Sequence, residues 1–130
     1  MKVLLLALTL VASTASAQIW DYLITSNSGA TYYIDPASIN MKGDMVNYTQ
    51  LINYPNGYDS DNHKIHSIQQ VKQIDCKENL IRTISMIAYE HENAKGNIQT
   101  LSIGREYQSL KVNENSISAL YRDQVCIHKK

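Results

Sequence analysis

The stretch MVNYTQLINY, residues 45 to 54, carries a side-chain pattern with a period of two. Four of its apolar and aromatic residues share one face: Val46, Tyr48, Ile52 and Tyr54. This is the period of a β-strand, because successive side chains point to opposite sides of a sheet. The turn signal Lys42-Gly43-Asp44 precedes the stretch, and the polar residues 55 to 64 that follow are predicted to form a loop.

The residues before this strand predict a hairpin. Residues 19 to 26 form its first strand, Asn27-Ser28-Gly29 its turn and residues 30 to 34 its second strand. Asp35-Pro36 is expected to end that second strand, since proline cannot donate a hydrogen bond to a sheet.

The residues after the central strand predict a second hairpin. Residues 65 to 75 and 80 to 89 are its strands, and residues 76 to 79 are its tight connection. A final strand is expected within residues 97 to 110. The pattern therefore predicts a mainly antiparallel sheet of about six strands.

A single helix is predicted near the C-terminus. Asn113 or Asn115 is the expected N-cap, and four apolar residues recur at helical spacing: Ile117, Leu120, Tyr121 and Val125. This stripe predicts that the helix packs on one face of the sheet, which gives an α+β fold. Cys126 falls outside the stripe on an ideal helix. Either the last turn loosens, or the cysteine is reached from the side of the helix.

The first 17 residues predict a cleavable signal peptide. Lys2 supplies the positive charge, residues 3 to 12 form the apolar core, and Ala15-Ser16-Ala17 supplies the small residues that a signal peptidase requires. The apolar run is shorter than the roughly 20 residues that span a bilayer, and Gln18 is not a cysteine that could carry a lipid. We therefore expect an exported, periplasmic or secreted single domain of residues 18 to 130, without a transmembrane helix or lipid anchor.

The balance of charges excludes one class of binding partner, and the cysteine content predicts a covalent link. Cleavage removes one of 12 basic residues and none of the 12 acidic ones, so the mature chain lacks the basic excess expected of a nucleic-acid-binding protein. Its two cysteines, Cys76 and Cys126, are predicted to form a disulfide in an oxidising compartment. In the loop-entropy description such a bridge stabilises the fold by about 4 kcal/mol. A catalytic thiol or a metal ligand is the alternative, but neither cysteine lies in a CxxC motif.

No residue pattern typical of an enzyme or of a cofactor site is present. His63 and His66, with Asp59 and Asp61, form the strongest metal hypothesis, but an EF-hand loop beginning at Asp59 would have Lys64 and Gln70 where glycine and glutamate belong. A solvated loop is the favoured interpretation. A hydrolase built from Asp75, His66 and Ser67 would lack any recognised motif. We therefore predict a non-enzymatic protein with no metal or cofactor.

Tyrosine is unusually frequent, with nine tyrosines and no phenylalanine. Tyrosine combines apolar area with a hydroxyl group and is common at protein-binding surfaces. Four tyrosines are candidates for such a surface: Tyr22, Tyr54, Tyr58 and Tyr107. Packing of half-buried strands is the alternative and the favoured explanation.

Several short segments together resemble the bacterial surface-adhesin E family. They are Trp20, Tyr32-Tyr33-Ile34-Asp35-Pro36-Ala37-Ser38-Ile39, Gly43, Ile74-Asp75-Cys76, Arg82-Thr83, Gly96 and Val125-Cys126. The resemblance implies an antiparallel sheet of about six strands with a C-terminal helix held across one face by a disulfide between the two cysteines. It also implies an adhesin that binds host extracellular-matrix or plasma proteins.

Two functions follow as hypotheses. The first is a binding module that meets a host protein. The second is a structural or housekeeping protein of the envelope, which is consistent with the acidic segment at residues 59 to 64 and with the missing lipid-bearing cysteine. A homodimer is also predicted to be feasible, because an antiparallel sheet of this size has edges to cover.

Overall fold

A computed structural model describes residues 18 to 60, 62 to 99 and 105 to 127. Its elements are β1 (Asp21–Thr25), β2 (Thr31–Lys42), β3 (Met45–Ser60), β4 (His63–Asp75), β5 (Leu80–His91), β6 (Lys95–Gln99), a 3-10 turn (Arg105–Tyr107), β7 (Leu110–Lys111) and α1 (Ile117–Cys126). The predicted signal peptide lies outside the described residues.

The strands form one antiparallel sheet in the order β1-β2-β3-β4-β5-β6, and the short β7 pairs with β5. Each long strand pairs with the next one along the chain, as a meander does. The prediction of an antiparallel sheet with a single C-terminal helix is confirmed. β6 overlaps the start of the expected final strand, and residues 100 to 104 of that prediction lie outside the described part of the chain.

The prediction that Asp35-Pro36 ends β2 is wrong. β2 continues to Lys42, and the register with β3 is interrupted between Asp35 and Asn40. At this irregularity the Ser38 hydroxyl donates to the Asp35 carbonyl at 2.6 Å and accepts from the Thr49 N–H at 2.7 Å. The Ser38 side chain therefore supplies hydrogen bonds where the backbone ladder is interrupted, next to Pro36, which has no N–H group to donate.

The prediction of a polar loop over residues 55 to 64 is also wrong. β3 runs to Ser60 and β4 starts at His63, and the pairs Tyr58↔Ile65 and Ser60↔His63 continue the ladder. Neither β2 nor β5 pairs with this part, since their ladders stop at Asn53 and at Ser67. Residues 54 to 60 and 62 to 65 therefore extend the sheet as a two-stranded ribbon. Polar side chains are compatible with it because the pairing is made by the backbone.

The helix begins at a cap that differs from both predicted ones. Ser116 is the N-cap, and its hydroxyl oxygen accepts from the Ala119 N–H at 3.3 Å. Asn113 instead stabilises the preceding turn, since its side-chain oxygen accepts from the Asn115 N–H at 3.0 Å. Because a serine and an asparagine cap equally well, the turn geometry decides between them.

The helix packs on the sheet through a stripe that differs from the predicted one at two positions. Tyr121 and Val125 are buried as expected, and Ala119 joins them, whereas Leu120 is 40% exposed. Tyr121 and Val125 form the main core together with residues of three strands: Ile34, Val46, Tyr48 and Ile74. A second, smaller cluster comprises Ile65, Ile68 and Ala88, with Tyr54 and Met86 packed against it.

The disulfide between Cys76 and Cys126 is confirmed, with the two Cα atoms 5.9 Å apart. Cys76 follows β4, and both cysteines pack against the main core. Cys126 ends α1, and Ile127 still has helical φ and ψ angles of −63° and −25°, so the last turn does not loosen. The bridge therefore joins an intact helix end to the end of a central strand.

Arg122 provides a second link between the helix and the sheet. Its guanidinium donates two hydrogen bonds to the Glu114 carboxylate, at 2.7 and 2.6 Å, and one to the Asn79 side chain at 2.9 Å. These hydrogen bonds hold the pKa of Glu114 below its usual range. Since Asn79 lies in the turn between β4 and β5, the helix is tied to the turn that also carries the disulfide.

Candidate functional site

The aromatic side chains of the helix face lead from the core towards the ribbon. The rings of Tyr48 and Tyr121 stack with centroids 5.3 Å apart, and Tyr32 meets Tyr121 edge-on at 6.5 Å. Further along, Tyr54 and Tyr58 lie 5.5 Å apart at the base of the ribbon. Tyr58 is 48% exposed, so this series of rings ends at the surface.

The structure brings two of the four candidate tyrosines together, Tyr54 and Tyr58. Tyr22 instead contacts Tyr33 at 5.9 Å, and its hydroxyl shares a hydrogen bond with the Thr25 hydroxyl. Residues paired across two strands share a face, so Tyr33 lies on the same face as its partner Leu51 in β3. Tyr54 is three residues after Leu51 in β3 and therefore points to the other face. The Tyr22–Tyr33 contact and the Tyr54–Tyr58 contact thus lie on opposite faces of the sheet. Tyr107 lies in the 3-10 turn.

A shallow groove of about 340 Å³ lies beside the tyrosine pair. One wall is the turn between β1 and β2, at Ser28 and Gly29, and the other is the start of the ribbon, from Tyr54 to Tyr58. Gly57 has a φ of +78°, and a Cβ atom there would lie 2.4 Å from the Lys64 side chain. The absence of a side chain at Gly57 therefore leaves room for the Lys64 side chain to cross the ribbon.

The environment keeps the Tyr54 hydroxyl neutral. Burial, followed by the proximity of Tyr32 and Tyr58, raises the pKa of Tyr54 to about 12. A neutral phenol can donate and accept hydrogen bonds but is no general base near neutral pH. The site can therefore supply apolar area and hydroxyl groups to a partner, which suits binding better than catalysis.

A second groove, of about 490 Å³, lies on the face opposite the helix, and the sequence did not predict it. Seven residues line it: Gln18, Trp20, Gln69, Tyr89, Asn93, Ala94 and Lys95. They come from the segment before β1, from β4 and β5, from the turn between β5 and β6 and from the first residue of β6. This set is called the Trp20 groove below.

The chain matches a known family over most of its length. Residues 20 to 127 match surface-adhesin protein E. The chain belongs to the surface-adhesin protein E family. The resemblance drawn from the YYIDPASI segment and the cysteines is thereby confirmed.

Solved structures with the fold of this family member come from Haemophilus influenzae. Crystal form II of protein E from that organism is 17% identical, with a TM-score of 0.64, over 82% of this chain and 87% of the other. Its selenomethionine form is also 17% identical, with a TM-score of 0.63 over 86% and 93%. At such low identity the likeness shows a shared fold. The comparison with curated protein sequences gives no match.

The residues of the hydrolase hypothesis are separately engaged in this member of the family. His66 Nδ1 lies 2.7 Å from the Glu90 carbonyl, the Ser67 hydroxyl donates to the His91 carbonyl, and Asp75 accepts from the N–H groups of the following turn. Successive residues of a strand point to opposite faces, which separates His66 from Ser67. The structure therefore does not assemble these three side chains into one site.

The metal hypothesis gains no support from the geometry. Within the described ranges, no three histidine, cysteine or acidic side chains come together as a metal would need. Asp59 lies opposite Lys64 and His63 opposite Ser60 in the ribbon, while Asp61 is outside the described residues. No helix in the described part of this family member is long and apolar enough to cross a membrane.

Proposed function

We propose that the protein is an exported, non-enzymatic adhesin-like module that binds a host extracellular-matrix or plasma protein. The match of residues 20 to 127 to surface-adhesin protein E carries this proposal. Host matrix and plasma proteins are the partners that the family resemblance implies. The binding screen described below identifies the individual ligand.

The tyrosine pair at the base of the ribbon supports a contact surface in this module. Tyr58 exposes 48% of its surface on a strand whose backbone is fixed by pairing, and its ring is braced by Tyr54. A braced aromatic side chain loses little conformational entropy on binding, which is why tyrosine is enriched among residues that dominate binding energy. With 12 acidic and 12 basic residues in the whole chain, apolar and hydrogen-bonding contacts are expected to outweigh charge attraction.

Export is part of the proposal, with residues 1 to 17 as the signal peptide and residues 18 to 130 as the single mature domain. The Cys76–Cys126 disulfide supports it, because disulfides persist in oxidising compartments outside the cytoplasm. Protease treatment of intact cells provides the test. Release of fragments of this protein supports surface display, while full protection until the outer membrane is opened contradicts the adhesin role.

That second outcome would favour a structural or housekeeping protein of the envelope with no host ligand. The ribbon, where Asp59 lies opposite Lys64, is compatible with this alternative as well as with an apolar contact at Tyr58. A surface that grips host proteins electrostatically would instead present a basic excess.

A binding screen against immobilised matrix and plasma proteins tests the contact surface. Replacing Tyr58 with alanine is expected to weaken binding by about 30-fold, as for a central aromatic contact. Tyr22→Ala is the matched control, because Tyr22 is 60% exposed on the other face of the sheet. A larger loss in Tyr22→Ala would place the contact surface on that face, and no binding to any protein of the screen would remove the adhesin proposal.

A homodimer remains a prediction of the sheet architecture. β1 and β6 are the outer strands of the main path, and each is only five residues long. Short edges limit pairing with other chains but leave backbone groups open to it. Size-exclusion chromatography with light scattering distinguishes a dimer from a monomer.

A further inference from the structure

We propose that the Trp20 groove is a binding site for an acidic saccharide. Its ligand class is a sugar ring that carries hydroxyl or acetamido groups together with a carboxylate. The site lies on the face opposite the helix and is separate from the tyrosine pair.

The aromatic lining of the groove suits a sugar ring. Trp20 and Tyr89 are both partly exposed, and both line the cavity. The face of an aromatic ring carries a partial negative charge, and the C–H groups on one side of a pyranose are weakly positive, so a sugar packs flat against such a ring. The groove measures about 490 Å³, within the roughly 300 to 1,000 Å³ of small-molecule sites.

The polar lining supplies the matching hydrogen bonds. Gln69 offers an amide group, which donates and accepts in fixed directions and can pair with hydroxyl or acetamido groups, while Asn93, whose side-chain oxygen accepts from Asn53, offers its NH2 group. Lys95 is the charged residue of the lining, and its ammonium group can pair with a carboxylate. A sugar can pair with these polar groups, whereas a lipid tail or an apolar peptide cannot, so the composition favours a sugar.

Buried side chains hold the wall of the groove in place. The Asn53 amide donates to the Asn93 side-chain oxygen, and the Asn53 oxygen accepts from the Asn93 N–H, both at 2.9 Å. Ser67 accepts from the Ala94 N–H at 3.0 Å. Asn53 and Ser67 are 4% and 0% exposed, so two fully desolvated polar residues are used to fix a surface turn.

The turn itself has a backbone conformation that must be enforced. Asn93 and Ala94 have φ angles of +63° and +57°. Alanine adopts this left-handed region reluctantly, because its Cβ atom crowds the following carbonyl oxygen. Strained backbone held by surrounding side chains is concentrated at functional sites, and here it places Asn93 and Lys95 along the groove.

Trp20 makes the proposal directly measurable, because it is the single tryptophan of the chain. Its fluorescence therefore reports on this groove alone. Two acidic saccharides serve as probes: sialyllactose for a host glycan and the N-acetylglucosamine–N-acetylmuramic acid disaccharide for the bacterial envelope. We expect one of them to change the emission saturably with a Kd of about 1 mM or below, confirmed by calorimetry. The probe that binds identifies the source of the natural ligand.

Variants link the signal to the groove. Lys95→Ala is expected to weaken binding of the acidic probe about tenfold while uncharged lactose is unaffected, because a charge-assisted hydrogen bond is lost. Tyr89→Ala weakens both classes of sugar, and thermal unfolding verifies that this variant is folded. Lys77→Ala, an exposed lysine in the turn between β4 and β5, is the matched control.

Two results would overturn the proposal. One is the absence of a saturable response to either acidic probe at about 10 mM, well above the expected Kd. The other is a response of equal strength in wild type, Lys95→Ala and Tyr89→Ala, which would locate the binding elsewhere. Tyr58→Ala should leave the response unchanged, so the outcome is independent of the adhesin proposal.

Discussion

The two ends of the sheet differ in how their residues are held. At the helix-covered end, defined by the main core residues, four buried strand side chains pack against Tyr121 and Val125 of α1, and the Cys76–Cys126 bridge and Arg122 tie that helix to the sheet. At the ribbon end, which comprises residues 54 to 60 and 62 to 65, the smaller cluster of Ile65, Ile68 and Ala88 lies where the ribbon meets the sheet, and β3 carries the exposed Tyr58. Stability is therefore expected to concentrate at the first end, and the second end is free to vary its surface.

Removing Tyr121 should have the largest effect on stability. Tyr121 is 1% exposed, stacks on Tyr48 and donates a hydrogen bond to the Tyr33 carbonyl at 2.8 Å. Tyr121→Ala leaves a cavity between helix and sheet and is expected to lower the free energy of unfolding by about 3 to 5 kcal/mol. Urea unfolding with the disulfide intact measures it.

Two further variants test whether this loss belongs to the helix-covered end. Tyr121→Phe removes the hydroxyl alone and should cost about 1 kcal/mol. Ile65→Ala, at the ribbon end, should cost about 2 kcal/mol, the low end for such a truncation, because the smaller cluster can relax. If Ile65→Ala lowered the free energy of unfolding as much as Tyr121→Ala, stability would not be concentrated at the helix-covered end.

Removal of the disulfide should rank second. The bridge closes a separation of 50 residues, and replacing both cysteines with serine is expected to lower the free energy of unfolding by about 2 to 4 kcal/mol. Because Tyr121 and Val125 belong to the main core, amide exchange should accelerate in α1 and in the paired strands of that core together.

The ribbon distinguishes the outcomes of that exchange experiment. If amide exchange accelerates less in the ribbon than in the core strands, the two ends open separately, as expected when stability is concentrated at the helix-covered end. Equal acceleration over both ends would show that the sheet opens as one unit.

Alkaline pH should have a smaller effect, through Tyr54. Its pKa is raised from 10 to about 12 in the fold, so the folded state holds the phenol proton more tightly than the unfolded chain. The contribution of this raised pKa to the free energy of unfolding is therefore complete below pH 10 and is lost as the pH rises towards about 12. Burial raises the pKa of Tyr48 and Tyr121 in the same direction, so the helix-covered end contributes to the same loss.

Tyr54→Phe separates the contributions of the two ends. Urea unfolding at neutral pH and at about pH 11 should show a smaller decline with pH in this variant than in the wild type. Tyr22→Phe, an exposed position, is the control. An unchanged decline in Tyr54→Phe would assign the whole pH dependence to the helix-covered end.

The sequence predicted the helix-covered end better than the ribbon because burial there follows a simple period. Val46 and Tyr48 alternate in β3, and Tyr121 and Val125 recur at helical spacing, so the apolar pattern predicts both elements and their contact. Pro55 and Gly57 are signals of a loop, but in the structure they lie at an irregularity inside one long strand. The pairing beyond them is made by backbone groups, which side-chain patterns do not report.

The grooves were harder to predict for a related reason. Tyr54 and Tyr58 are near in sequence, and tyrosine content was enough to single them out. Gln69 and Tyr89 lie on the neighbouring strands β4 and β5, with Gln69 opposite Ile87 and Tyr89 opposite Ser67, whereas Trp20 comes from the segment before β1. The sequence signal for the second groove was the presence of polar residues, such as Asn53 and Ser67, inside predicted strands. The structure shows that both residues are buried.

The smallest effect on stability is expected at Tyr58. Its side chain is 48% exposed and contacts Tyr54 at the surface, so Tyr58→Ala should change the free energy of unfolding by less than about 0.5 kcal/mol. The same variant is expected to bind the host protein about 30-fold more weakly. Urea unfolding and the binding screen, done on one preparation, measure both quantities. A loss of stability above about 1 kcal/mol would mean that Tyr58 holds the ribbon together, and the division between a stabilising end and a binding end would then fail.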